Sequence, residues 1–341
     1  MFADLTYIYL SGAHKTLPKA EVLAIAEAEE IAVKVLLDLD QLLVLFSSSE
    51  LVELIKLRSA YSRRVGTVLW LGHSKDLPDG IRKAADALRH IGINYIKMEY
   101  RDLRSLSEGP KYDDVVDELS GAGIKLVKDC GNVVDIIVSQ GVAVVGLRRY
   151  EIKVKDFLSR WTSERPVYMP GALNPDISRI FVNLSRASIK KRTTYYDPFC
   201  GTGSFLLEAC YMGLRYVGSD IDERYVAGAS KNLIGYGCEP EVFVADACRM
   251  PVREVGAIGT DMPYGRQTKP HGIDIRRLIT CFLENAESAL RRGSYLVFAQ
   301  DSRFEDEVHR ALDRLNFKLV EVHRNWVHGS LTRNIYVLRR T

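Results

Sequence analysis

Residues 195–204 read Tyr195-Tyr196-Asp197-Pro198-Phe199-Cys200-Gly201-Thr202-Gly203-Ser204 (YYDPFCGTGS), and this stretch decides the fold. Upstream, Thr193 and Thr194 join the two tyrosines in a β-branched and aromatic run that suits a short buried strand. Downstream, Ser204 to Leu214 (SFLLEACYMGL) reads as a helix. Between them lies a strand-to-helix turn. Gly201 and Gly203 let its backbone approach a ligand closely, and the helix start offers free N–H groups and a positive dipole end. A nucleotide-like cofactor or a carboxylate suits such a turn, and so does a glycine-rich turn with no ligand at all.

A dinucleotide fingerprint would need a third glycine three residues after Gly203, where this chain has Leu206. Asp197, just ahead of the glycines, would also repel a pyrophosphate. An acid there can instead receive a cation. S-adenosylmethionine carries an ammonium and a sulfonium, together with a carboxylate that can use the N–H groups of the turn.

At 341 residues the chain has room for two or three domains, and its 47% hydrophobic and 27% charged residues are those of an ordinary globular protein. No apolar run approaches a membrane span, and Met1 to Leu10 (MFADLTYIYL) has no basic n-region, so a cytoplasmic location is expected. The six cysteines are scattered without a CxxC pair or a completing His, which predicts free thiols and no metal site. A net charge of +3 does not announce nucleic acid, so any RNA-binding face must be local.

The first 150 residues alternate strand and helix signals and predict a small α+β region or two packed together. Arg148 to Arg165 (RRYEIKVKDFLSRWTSER) then changes character, with six basic residues against three acidic and Tyr150, Phe157 and Trp161 interleaved. It reads as a linker with an RNA-facing edge at Arg148, Arg149, Lys153 and Lys155, or equally as a solvated connector.

From Thr193 onward the alternation has parallel-sheet regularity, and acids stand at the carboxyl ends of consecutive strands, the edge where ligands collect in open α/β sheets. Asp220 closes the second strand about twenty residues after the glycine turn, where an acid can bind the two hydroxyls of a ribose. Asp222 is the alternative; Asp220 is preferred because it directly follows the strand, with Ile221 placed against an adenine. Asp246 ends the third strand and can accept from an adenine amino group, while the Ala247 N–H can donate to the ring. The fourth strand runs into Asp261-Met262-Pro263-Tyr264-Gly265. A nucleobase amine is a poor nucleophile because its lone pair is delocalised, so methylating it demands alignment, an acceptor for its N–H bonds and a dry stacking surface. Asp261 and the Met262 carbonyl are such acceptors, Pro263 stiffens the loop, and the Tyr264 ring can stack on a flipped base.

The segments Asp197 to Ser204, Gly218 to Asp222 and Asp261 to Gly265 resemble the cofactor loop, the ribose acid and the (D/N)PPY motif of class I amino-methyltransferases. Arg165 to Ala187 (RPVYMPGALNPDISRIFVNLSRA) resembles the segment that opens the catalytic domain of the THUMP-domain tRNA guanosine N2-methyltransferases, in particular the archaeal and eukaryotic family that modifies guanosine 10 of tRNA. The resemblance extends from Arg165 to Leu338; before residue 150 it rests on element order. It implies a ferredoxin-like α+β region over 1–60, a THUMP-like RNA-binding domain over 61–150, a linker over 151–165 and a class I Rossmann-like methyltransferase domain over 166–341. It further implies S-adenosylmethionine held by Asp197, Pro198, Gly201, Gly203, Asp220, Ile221, Asp246, Ala247 and Asp261, with catalysis by Asp261, Pro263 and Tyr264. The partners it implies are tRNA and a small zinc-binding activator protein, for which the third-strand edge around Val242, Phe243 and Val244 is a candidate seat. Met262 stands where the family has Pro, and a backbone carbonyl from Met serves the same purpose. Rival readings are an amino-methyltransferase for another base (another guanine N2, or adenine N6), an inactive RNA-binding scaffold and a nicotinamide dehydrogenase.

Overall fold

In a computed structural model that describes residues 4–103, 112–265, 274–329 and 331–341, the strand and helix signals resolve into two compact units, each built on one large sheet. The stretch that builds the first sheet opens with β1 (Asp4–Leu10), then α1 (Leu17–Ala28), most of which counts to the second unit, β2 (Lys34–Leu39), β3 (Leu42–Ser47), α2 (Ser49–Arg58) and β4 (Ser62–His73). It continues through α3 (Leu77–His90), β5 (Tyr95–Leu103), α4 (Tyr112–Gly121), β6 (Lys125–Leu126), β7 (Val133–Ser139) and β8 (Val142–Glu151). The strand order is β2-β3-β1-β4-β8-β7-β5-β6. Its first four strands, in a βαββαβ chain order, make the ferredoxin-like arrangement. The boundary expected at residue 60 falls short of it, because β4 completes this arrangement and also pairs with β8.

The second unit contains α5 (Lys155–Leu158), α6 (Pro175–Leu184), β9 (Thr194–Asp197), α7 (Ser204–Tyr211), β10 (Arg215–Asp220), α8 (Glu223–Gly235) and β11 (Val242–Val244). After it come β12 (Val255–Asp261), α9 (Ile275–Ala289), β13 (Leu290–Asp301), α10 (Glu305–Leu312), β14 (Phe317–His328) and β15 (Leu331–Arg340). Its seven strands lie in the order β11-β10-β9-β12-β13-β15-β14. All pairs are parallel except those of β15, which runs antiparallel between β13 and β14. The chain starts in the middle at β9, moves out to β11, then returns to β12 on the other side. A crevice at such a reversal is where open α/β sheets bind ligands.

Leu206, which stands in place of the third fingerprint glycine, is fully buried, and its Cδ1 lies 2.4 Å from where a Cβ on Gly218 would sit. Close packing of α7 on β10 is therefore achieved by a glycine in the strand and a leucine in the helix. The same unit also recruits residues 20–30 and 57–60 from the N-terminal region. Glu29 and Arg58 are fully buried and paired at 2.6 Å. Glu29 also accepts from Ser188 Oγ and from the N–H groups of Ile189 and Lys190, while Arg58 donates to Asn183 and to the Ala187 carbonyl.

Two expectations are corrected. Cys210–Cys238 and Cys248–Cys281 form disulfides, leaving Cys130 and Cys200 free. Partners 28 and 33 residues apart are brought together only by tertiary packing, which a search for short cysteine spacings does not register. Arg148 is no RNA-facing cation, since its side chain is 7% exposed and pairs with Asp135 at 2.5 Å and Glu99 at 3.0 Å. Arg64 shares both acids, and although burial pushes Glu99 up, the two guanidiniums bring it down to about 2.

Removing one partner of a buried pair strands the other charge. Glu29→Ala should therefore destabilise the protein by about 3–5 kcal/mol in chemical denaturation, and a loss under about 1 kcal/mol would show that the pair is not buried in solution.

Candidate active site

The site lies at the carboxyl ends of β9, β10, β11 and β12, and each acid reaches it because its strand ends there. Tyr195 and Tyr196 are fully buried, so β9 is anchored on both faces. Tyr195 donates to the Gly259 carbonyl at 2.7 Å, and a side chain at Gly259 would collide with its ring. Asp197 follows at the strand end, 2% exposed. Its Oδ1 accepts from Thr260 Oγ1 at 2.7 Å and from the Phe199 N–H at 3.1 Å. Pro198 directly follows this acid. In the turn Gly201 and Gly203 take φ of +50° and +85°, values that favour glycine.

Asp220 reaches back to that turn, accepting the Gly201 N–H on Oδ2 at 3.1 Å and the Asp222 N–H on Oδ1 at 3.0 Å. Asp222 is used differently: it caps α8 by accepting from the Arg224 N–H and pairs with the Arg224 side chain. This division of labour favours Asp220 as the ligand-facing acid. Ile221 is 41% exposed beside it, as a surface for a planar ring requires. Asp246 accepts from the Cys248 N–H at 2.8 Å, which orders the turn that carries the buried Ala247.

Asp261 ends β12. Its Oδ1 accepts from the Tyr264 hydroxyl, and its Oδ2 lies 3.6 Å from Arg333 Nη1. Met262 points into the core at 1% exposure, and the Pro263 carbonyl accepts from Gln300. Burial raises the Asp261 carboxyl above its ordinary range, opposed by the Arg333 charge and the Tyr264 hydrogen bond. Asp197 is pushed up to about 8, first by burial and further by the charges of Asp220 and Asp261, while its bonds from Thr260 and Phe199 pull the other way. The three acids thus share one electrostatic centre. Such a centre is completed by a cation.

The residues present fit S-adenosylmethionine. A buried acid whose proton affinity is raised stands beside a turn whose Thr202 Oγ1 is buried without a hydrogen-bond partner among the described residues, and a ribose-competent carboxylate closes the next strand. Of the residues singled out in the sequence, the fold links Asp197, Gly201, Asp220 and Asp261, and it adds Thr260, Gln300 and Arg333, which sequence reasoning missed. Arg333 had one readable signal, a cation beside an Asn just before the apolar run Ile335 to Leu338. Of the four basic positions proposed for RNA, Arg149 and Lys155 are exposed, Lys153 pairs with Glu151 at 3.4 Å, and Arg148 is withdrawn as described.

Asp197 governs a pH dependence whose sign is fixed. Its pKa is raised in the folded state, so its contribution to stability is complete below the unfolded value near 4 and is lost as pH rises through about 8. Without cofactor, Asp197→Asn should gain thermal stability relative to the wild type between pH 4 and 8. A difference in melting temperature that does not vary with pH would overturn this account.

Residues 162–335 match the RMKL-like methyltransferase domain family. The chain is 30% identical over 338 residues to the tRNA (guanine(10)-N2)-dimethyltransferase of Methanothermobacter thermautotrophicus, covering 98% of both chains. It is 30% identical over 346 residues to the enzyme of the same name from Pyrococcus abyssi, covering 97% of this chain and 98% of that one. Among solved structures, TrmN from Thermus thermophilus has the same fold, with a TM-score of 0.55 at 19% identity over 99% of this chain and 100% of that one. A putative methyltransferase complexed with SAH, SMU.472, also shares it, with a TM-score of 0.54 at 14% identity over 100% and 99%. The chain belongs to the family of the tRNA (guanine(10)-N2)-methyltransferases and carries its RMKL-like methyltransferase domain.

Proposed function

We infer that this protein is an S-adenosylmethionine-dependent tRNA methyltransferase acting on the exocyclic N2 amine of guanosine 10. One observation carries the reading: Asp197, Asp220 and Asp261 converge at the point where the sheet reverses, with the acceptor Asp261 on the side away from the ribose acid. Bound there, S-adenosylmethionine would supply an electrophilic methyl group on its sulfonium. Asp197 would face the amino-acid end, Asp220 and Ile221 the ribose and adenine, and Asp246 and Ala247 the rest of the base. The Tyr264 hydroxyl holds Asp261 by Oδ1, leaving Oδ2 to accept an N–H of the target amine and to receive its proton. The raised affinity of Asp261 for protons makes it the stronger base. The archaeal relatives' names support a second methylation at the same amine.

The eight-stranded unit we assign to tRNA binding, with its β4–β8 part as the THUMP-like domain, and the enzyme to the cytoplasm. No described helix is long and apolar enough to cross a membrane.

Incubation with cofactor and a tRNA transcript should produce N2-methylguanosine at position 10 by mass spectrometry; methyl groups only on adenine, or none, would defeat the assignment. Asp261→Asn should lower turnover by about 10²-fold or more while cofactor affinity stays within a few fold in calorimetry.

We propose further that the small zinc-binding activator protein adds a strand to β11, the sheet edge, where Val244 is 53% exposed. Phe243 packs on the core, so Val244 is the position to alter. Val244→Asp should abolish co-purification with the activator and leave the free enzyme's melting temperature within a few degrees; undiminished co-purification would move the interface elsewhere.

A further inference from the structure

Among the described residues, Arg333 is a cation whose head group stands at the acceptor end of the site with donors unused. It lies on β15 opposite Asp301, just beyond the carboxyl ends of the parallel strands. Its side chain is 7% exposed, yet Nε and Nη1 are buried without a hydrogen-bond partner among the described residues. Asp261 Oδ2 is 3.6 Å from Nη1, too far for a hydrogen bond. The guanidinium carbon stands 5.9 Å from the centroid of the Tyr264 ring. Unsatisfied buried donors are costly, and a fold retains them where something else supplies the acceptor.

The position of these donors selects that acceptor. Asp261 is where the target amine rests, so the atoms within reach of Arg333 are those bonded to the carbon that bears the amine. A phosphate cannot occupy that space once the base has entered, and the burial of Arg333 also argues against an RNA backbone contact at the surface. In guanine the carbon bearing the N2 amine is flanked by N1, a donor, and N3, an acceptor. We propose that Arg333 is a specificity-determining residue that donates to N3 of the target guanine while Asp261 Oδ2 accepts from the adjacent amine. Together the two side chains read a donor and its neighbouring acceptor as one unit. This rests on the guanine reading given above.

The test uses the full-length enzyme with tRNA transcripts carrying guanosine, 3-deazaguanosine or 7-deazaguanosine at position 10, against wild type, Arg333→Met and Arg333→Lys. A charged hydrogen bond of this kind should be worth between about 10-fold and 100-fold in kcat/KM. The wild type should lose that factor on the 3-deaza transcript and almost nothing on the 7-deaza one. Arg333→Met should lose at least that factor on ordinary tRNA, because Asp261 also loses the charge that opposes its burial, lose nothing further on the 3-deaza transcript, and bind cofactor normally by calorimetry. Arg333→Lys should fall between. If the penalties of variant and analogue multiply, Arg333 acts elsewhere and the proposal fails. Should Arg333→Met not fold, the wild type alone decides, because equal turnover on the 3-deaza and native transcripts overturns the contact. A wild type that methylates guanosine 10 without sensitivity to N3 sinks only this proposal, whereas one inactive at guanosine 10 sinks it together with the functional reading.

Discussion

The hydrogen bond from Thr260 to Asp197 ties together the two strands between which the sheet reverses. Everything at the site is placed relative to it. It holds the end of β9 against β12, sets the start of the glycine turn and fixes where Asp261 leaves the sheet one residue later. The bond from Gly201 to Asp220 extends the tie to β10. Three carboxyls are thereby held close together in a largely dry crevice. Such an arrangement calls for a proton or a cation to compensate it: burial first, and then the charges of Asp220 and Asp261, push the Asp197 carboxyl up to about 8. The constraint that organises the fold also prepares the site for a positively charged ligand.

Packing behind the crevice serves the same end. A dinucleotide-binding turn brings its helix onto the sheet through a glycine in the helix. Here the glycine is Gly218 in the strand, and the bulk of Leu206 comes from α7. The helix stays close to the sheet while the turn is free to carry an acid. On the far side, Tyr195 fills the room left by Gly259 and locks the middle of the sheet. The buried Glu29–Arg58 pair then fastens residues 20–30 and 57–60 to α6 and the loop before β9. The catalytic unit is thus discontinuous in sequence, and its stability depends on residues that a boundary near 165 would discard.

What could be read in the sequence was whatever a strand end fixes. Asp197, Asp220, Asp246 and Asp261 follow apolar runs whose ends are set by periodicity, so their convergence follows from parallel topology alone. Arg148 was misread because a cation in a basic stretch looks solvated until the fold supplies Asp135 and Glu99 from other strands. The cysteine pairs failed for the same reason, their partners lying 28 and 33 residues apart on segments that meet only in the folded chain. Arg333 escaped because its role depends on the antiparallel return of β15, which carries it past the edge where Asp261 stands. Local pattern locates the ends of elements; which side chains meet there is a tertiary fact.

Met262, the one departure from the family motif, follows from this geometry. Its side chain lies in the core with Ile258, Phe282 and Phe298, so the residue contributes an anchor below and a carbonyl above. A thioether adapts to such a gap without demanding one shape, and the following Pro263 restrains the backbone where the motif needs rigidity. Asp261 is then held from two sides of its carboxylate. Tyr264 donates to Oδ1 and the Arg333 charge faces Oδ2, while burial draws its proton affinity in the opposite direction. Burial draws a proton toward Asp261, and a closer pairing with Arg333 would draw it away. At 3.6 Å the guanidinium moderates the effect of burial without forming a hydrogen bond, and it leaves the two groups side by side at the end of the sheet.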